Sequence, residues 1–284
     1  MTQSLKTTIY SPESELARPW LLMKGMARDL AASRELAWRL FLRNISAKYR
    51  QTFMGYLWAV FPPLLTSAIW IFLNSQKILN FSETDIPYPL YVLVGTIIWQ
   101  VFVNAINIPI LVVRDSASMI AKINFPREAL ILAAFFEILF NLAIQLILLA
   151  AVFLYFRVSV SIQCIWAFGG LLSVIMAGMM TGILLTPVSI LYGDIQQGLP
   201  MILQPLFYLT PIVYSPPEIG IGAILATINP ISPLIRFTRE LITTGEFVCS
   251  ASTLIISVFT GIMLLFGWIL YRVAMPHLVE RISA

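Results

Sequence analysis

Ionisable side chains are so sparse along this chain that they divide it into segments. Six long stretches carry none or one: Arg50 to Lys77, Asp85 to Arg114, Glu128 to Arg157 (interrupted only by Glu137), Arg157 to Asp194, Asp194 to Glu218, and Glu246 to Arg272. A helix needs about 20 mostly apolar residues to cross hydrocarbon, because its backbone groups must be satisfied within the segment. Each stretch is long enough for one crossing, and none for two with a turn. The alternation that marks a membrane β-barrel is absent. The pattern predicts an all-α integral membrane protein with six transmembrane helices. A further apolar stretch, Glu218 to Arg236, is too short to span and carries Gly220, Gly222, Asn229, Pro230 and Pro233. It suits a broken, re-entrant or interfacial helix pair before the last crossing.

Composition sharpens the class. Apolar residues make up 59% of the 284 positions and charged residues 11%, against roughly 25% charged in an average soluble domain. So few charges cannot cover a soluble fold of this size. The same figures exclude a disordered chain, a disulfide scaffold and a nucleic-acid-binding domain. Net charge is only +4, so placement matters more than the sum. Nine cations precede the first stretch: Lys6, Arg18, Lys24, Arg28, Arg34, Arg39, Arg43, Lys48 and Arg50. Arg114, Lys122 and Arg127 lie between the second and third, and Arg272 and Arg281 in the tail. Only Lys77, Arg157, Arg236 and Arg239 fall on the other side. The positive-inside bias places both termini in the cytoplasm. The polar first thirty residues hold no apolar core, so no cleavable signal peptide is expected. Cys164 and Cys249 both fall toward the external side, where an oxidising compartment permits a disulfide, but two cysteines alone do not establish one. The sequon at Asn80-Phe81-Ser82 is read as incidental.

Several chemistries find no residues to carry them. The chain contains no Walker A pattern to cradle a nucleotide. A single histidine, His277 in the tail, leaves no metal-ligand cluster, no HExxH and no Ser/His/Asp triad. Within the six stretches Glu137 is the only ionisable group, whereas ion-coupled carriers usually need several buried acids or paired charges.

Four patterns remain. From Arg34 to Arg50, Trp38, Phe41, Leu42, Ile45 and Tyr49 fall on one helical arc, with Arg39, Arg43 and Arg50 beside it. This predicts an amphipathic helix at the cytoplasmic interface. Its cations, Lys48 included, are either a positive-inside anchor or a contact for lipid or lipid-linked phosphates. The loop from Arg114 to Arg127 is the second pattern. Its Met119, Ile120, Ile123 and Phe125 either pack under the bundle or form a docking knob for a cytoplasmic partner. Third, Gln100, Asn104 and Asn107 share one helix face, and Glu137, Asn141 and Gln145 another. These strips bond to one another or line a path for a hydroxyl-rich cargo. Gly178 and Gly182 are spaced for close helix packing. Last come the aromatics Trp58, Phe61 and Phe72 in the first crossing and Phe207 and Tyr214 in the fifth. They face lipid and core, or offer flat apolar surfaces to sugar rings. Pro62, Pro63, Pro205 and Pro211 are expected to remove backbone hydrogen bonds in the same two helices.

Together these segments resemble the permease subunits of ABC polysaccharide exporters, which export O-antigen, capsule and teichoic-acid chains. The resemblance rests on Tyr49-Arg50-Gln51 with Gly55-Tyr56-Leu57-Trp58 and Pro62, then Tyr88-Pro89-Leu90-Tyr91 with Gly95 and Trp99. It continues through Ile123-Asn124-Phe125-Pro126-Arg127, Tyr192-Gly193-Asp194-Ile195, Tyr208-Leu209-Thr210-Pro211-Ile212-Val213-Tyr214, and Asn229-Pro230 followed by Arg236 or Arg239. Thr210 and Gly193 stand where that family often has Ser and a charged residue. The resemblance implies a homodimer in the bacterial inner membrane, paired with a separate ATPase subunit that binds ATP and Mg. This chain would then hold no cofactor and catalyse no reaction. The cargo would be a polysaccharide linked to a polyprenyl diphosphate. ATPase motion would be received by Ser118, Met119, Ile120, Lys122, Ile123, Asn124, Phe125, Pro126 and Arg127. Arg39, Arg43, Lys48 and Arg50 would lie at the lipid-phosphate interface. A channel would be lined by Trp58, Phe61, Phe72, Phe207, Pro211 and Tyr214. An external gate over about 216–244 would include Asn229, Pro230, Arg236 and Arg239. The corresponding organisation is a polar N-terminus (1–30), an interface helix (31–52), a six-helix domain (53–273) and a cytoplasmic tail (274–284). The alternatives are a drug or small-lipid exporter permease and, from another class, a membrane-embedded glycan- or lipid-modifying enzyme.

Overall fold

The computed structural model describes residues 19–50, 52–78, 86–123, 125–158, 162–215, 220–245, 247 and 249–283. The sequon at Asn80, the loop residue Asn124, and positions 216–219 of the gate segment lie outside these. Among the described residues all regular structure is helical.

Local chemistry sets the helix boundaries. Helix α1 (Pro19–Ala32) begins on a proline, which suits a first turn. It gives way to α2 (Arg34–Tyr49) at Ser33, whose Oγ bonds back to the Asp29 carbonyl at 2.6 Å; such back-bonding favours a bend. Gly55, at φ +52°, opens a 3-10 turn over Gly55–Ala59. Helix α3 (Phe61–Ser75) then starts with prolines in its first turn. The expected loss of hydrogen bonds at Pro62 and Pro63 is therefore corrected. Amides of a first turn have no intrahelical acceptor, so the two rings cost nothing there. Pro211 likewise follows the end of its helix, and Pro205 is the one of the four inside a helix.

Next come α4 (Tyr88–Asp115), the short α5 (Ala117–Lys122), α6 (Glu128–Phe156), and α7 (Ala167–Leu191), which is preceded by a 3-10 turn over Ile162–Trp166. They are followed by α8 (Asp194–Leu209), α9 (Ile221–Ile228), α10 (Ile231–Thr243) and α11 (Ala251–Ser283). Four of these are long and apolar enough to cross a membrane: α4, α6, α7 with its 3-10 turn, and α11 over Ala251–Pro276. Helices α3 and α8, with 15 and 16 residues, fall short of a crossing by length. A 3-10 turn over Gly55–Ala59 precedes α3, and the non-helical segment Thr210–Tyr214 follows α8.

Helices α4 and α7 form the axis of the bundle. Gly178 and Gly182 of α7 lie against α4, as expected from their spacing. A Cβ on Gly178 would fall 2.5 Å from the Ala105 Cβ, and one on Gly182 would fall 2.5 Å from the Ile106 carbonyl oxygen. Helix α6 packs on the other side of α4, with α2 laid against α6; α3 packs on α4, α11 on α7, and α10 across the ends of α7 and α4. Cys164 and Cys249 are both free thiols.

Candidate functional site

Polar and aromatic groups concentrate at the two ends of the bundle. At one end α2 buries Ala37, Leu40, Phe41, Ile45 and Tyr49. Phe41 meets Phe136 and Phe140 of α6 edge-on, at 6.2 and 5.9 Å between ring centres. Trp38 and Leu42, on the same predicted arc, lie at its exposed margin. The polar strip of α6 meets α2. Lys48 pairs with Glu137 at 3.0 Å, the Tyr49 hydroxyl donates to Asn141 Oδ1 at 3.2 Å, and Gln145 Nε2 donates to the Ala59 carbonyl at 3.3 Å. Burial pushes the Tyr49 phenol above its ordinary pKa, Lys48 opposes that shift, and Glu137 adds to it. The α4 strip bonds internally, Gln100 to Asn104 at 3.1 Å, and Asn107 to the Val103 carbonyl at 2.9 Å. The α6 strip thus seats the interface helix, and the two strips find separate partners.

The cations of α2 have different surroundings. Arg39 pairs with Glu35 one turn away, and both are largely exposed. Arg43 reaches Ser116 Oγ at 3.3 Å and the Met119 sulfur at 3.7 Å, joining α2 to the start of α5. Arg50 is exposed at the helix end. Helix α5 also packs on α11. It buries Ile120 and half-buries Met119, while Ser118, Lys122 and Ile123 are exposed, Ile123 by 59%. Phe125 and Arg127 are half-buried and Pro126 is exposed. One face of this loop therefore packs under the bundle and the other stands free of it. Behind the loop, Arg272 Nη1 of α11 bonds both Glu128 of α6 at 2.7 Å and Asp29 of α1 at 2.8 Å. Sequence reasoning passed over this three-helix ion cluster. Its signal was a tail arginine directly after an uncharged stretch, with acids far away in sequence.

At the opposite end, where α4 begins and α8 finishes, the turn Thr210–Tyr214 meets α4 and α10. Arg239 is buried and donates to the Pro211 and Ile212 carbonyls. Asn229 Nδ2 donates to Thr210 Oγ1 at 2.7 Å, and its Oδ1 accepts from the Ile231 amide at 3.0 Å. Arg236 is on the exposed side, paired with Glu240 at 2.7 Å, and Pro230 is exposed. Tyr88 and Tyr91 join this cluster, and the Tyr-x-x-Tyr spacing that puts both on one face of α4 could have flagged them.

The channel candidates divide. Trp58 in the 3-10 turn and Phe61 and Phe72 in α3 are exposed. Phe207 is half-buried, edge-on to Trp99 at 5.8 Å and to Tyr208 at 5.4 Å. Tyr214 is half-buried with its hydroxyl on the Tyr208 carbonyl at 2.9 Å, and Pro211 is buried.

An amphipathic helix is thus seated on a bundle of long apolar helices, beside a short helix whose outer side chains are exposed. The chain belongs to the ABC-2 type transporter family, whose profile matches residues 35–243. It is similar to the polysialic acid transport protein KpsM of Escherichia coli, 25% identical over 82% of this chain and 91% of that protein. It is similar also to the O-antigen export system permease protein RfbA of Klebsiella pneumoniae, 26% identical over 72% of this chain and 78% of that protein. RfbA of Myxococcus xanthus is 24% identical over 68% of this chain. The chain is accordingly a multi-pass membrane protein of a transport family.

Proposed function

We propose that this chain is the transmembrane permease subunit of an ATP-driven exporter that moves a polysaccharide across the bacterial inner membrane. The observation that carries the reading is the relatedness to permeases of polysaccharide transport across most of the chain. Helix α5 is fixed to the bundle by Ile120 and Arg43 and presents Ser118 and Lys122 outward, as does Ile123 just past its end. A separate ATPase subunit docks there, and the site on this chain is mechanical.

Six crossings complete the reading. Helix α3 with its 3-10 turn runs from Gly55 to Ser75, and α8 with the Thr210–Tyr214 turn spans a similar distance. Both termini are then cytoplasmic, and α9 and α10 form the external gate. The exposed apolar faces of α3 and α8 pair with a second copy around a channel that the Trp58, Phe61, Phe72, Phe207 and Tyr214 rings border. Arg43 and Arg50 meet the phosphate of a lipid-linked cargo. Arg39 and Lys48, already paired with Glu35 and Glu137, contribute less.

Gene disruption with glycan analysis tests the proposal. Surface polysaccharide should be lost and the polymer should accumulate inside the cell, with recovery on complementation. Unchanged surface polysaccharide together with retention of a drug or small lipid would transfer the reading to that cargo. A processed glycan that depends on the purified chain alone would make it an enzyme.

A further inference from the structure

The turn that ends α8 is held by side-chain donors at four successive carbonyls. Arg239 is 6% exposed on α10, and its Nη2 donates to Pro211 at 3.1 Å and to Ile212 at 2.7 Å. The hydroxyls of Tyr88 and Tyr91 donate to Val213 and Tyr214 at 3.1 and 3.2 Å. The guanidinium also lies 4.0 Å from the centre of the Tyr91 ring. No carboxylate bonds Arg239 among the described residues, and its Nε has no partner. Burying a cation this way is costly, and an apolar side chain of similar size would pack without that cost. The backbone makes room for it: a Cβ on Gly95 would fall 2.7 Å from Arg239 Nη2 and 2.4 Å from the Ile212 carbonyl oxygen. Three segments more than a hundred residues apart from first to last thus meet on one cation.

We propose that Arg239 is the positioning residue of the exit, clamping the outer end of α8 to α4 and α10 so that the Thr210–Tyr214 turn keeps its place while cargo passes. The word outer rests on the exporter reading; the clamp does not. The test uses the full chain with Cys164 and Cys249 changed to Ser and a Ser215→Cys probe beside the turn. A small maleimide labels this probe in permeabilised cells, whichever side of the membrane the turn faces. Arg239→Met should raise the labelling rate about tenfold, equivalent to about 1.4 kcal/mol of lost restraint. Arg239→Lys should raise it as well, because an ammonium lacks the flat fork that serves two carbonyls and a ring. Unchanged labelling in both would overturn the clamp. If Arg239→Met fails to accumulate, Tyr91→Phe decides: it keeps the ring and deletes the hydroxyl, and a rise of about threefold supports the clamp while no rise overturns it. Surface polysaccharide is followed in parallel. Faster labelling in cells whose polysaccharide survives gene disruption would keep the clamp and sink the exporter reading; lost export with unchanged labelling would do the reverse.

Discussion

Two residues mark the ends of helices at some conformational expense. Lys77 and Arg157 take φ of +55° and +54°, closing α3 and α6 where a glycine would be at ease. Lys77 is exposed and its amide still bonds the Asn74 carbonyl at 3.0 Å. Lys77→Gly should therefore stabilise the detergent-solubilised protein by up to about 1 kcal/mol, seen as a higher melting temperature. The opposite holds at Gly178, where even a methyl meets Ala105 and the Phe102 carbonyl oxygen, at 2.5 and 2.8 Å. Gly178→Ala should lower the melting temperature and reduce folded yield, because α4 and α7 must separate to admit it. The Gly178/Gly182 spacing was legible in the sequence. The cluster around Gly95 was not, since nothing local shows that a carbonyl from residue 212 will arrive there.

At the scale of elements, the contrast between α5 and the residue that follows it separates packing from docking. Ile120 is buried and Ile123 is 59% exposed. Ile123→Asp should abolish surface polysaccharide at normal protein level, as judged by immunoblot and by co-purification of the ATPase. Ile120→Asp should instead deplete the protein, because it places an unpaired carboxylate in the core. The sequence offered both positions as one apolar group, and helical periodicity cannot tell them apart because Ile120 lies in a six-residue helix and Ile123 in extended backbone just past its end. Helix α2 was easier, because sixteen residues give a full 3.6-residue pattern, and the arc through Phe41, Ile45 and Tyr49 is the buried one. Trp38 and Leu42 lie at its edge, where angle alone does not settle burial. Uncharged stretches show where a chain can cross, not where helix begins. Gly55 and the Pro62-Pro63 pair delay α3, and Thr210–Tyr214 cuts α8 short. Arg236 and Arg239 differ by three positions on one helix, and only the packing of α10 separates the exposed one from the buried one.

Across the whole molecule, Arg272 is the tie among α1, α6 and α11, behind the loop that carries α5. Its side chain is 20% exposed and that of Glu128 6%. Arg272→Met strands the Glu128 carboxylate and should cost about 3 kcal/mol, the low end for breaking a buried pair because Asp29 is partly solvated. Arg272→Met combined with Glu128→Leu should recover most of that loss, and thermal melting of the three proteins measures it. Export that stays low in the recovered double variant would mark the tie as part of force transmission rather than of stability alone.

The Lys48–Glu137 pair also bears on how the chain is made. Glu137 is the one acid of α6 beyond its first turn, and a charge within a membrane helix raises its insertion cost by up to about 3 kcal/mol. Its counter-ion is translated 89 residues earlier. Lys48 is thus already synthesised when the ribosome delivers Glu137. Synthesis order itself supplies the neutralising partner before the charge that needs it, and a chain permuted to place α2 last would have to insert α6 without it.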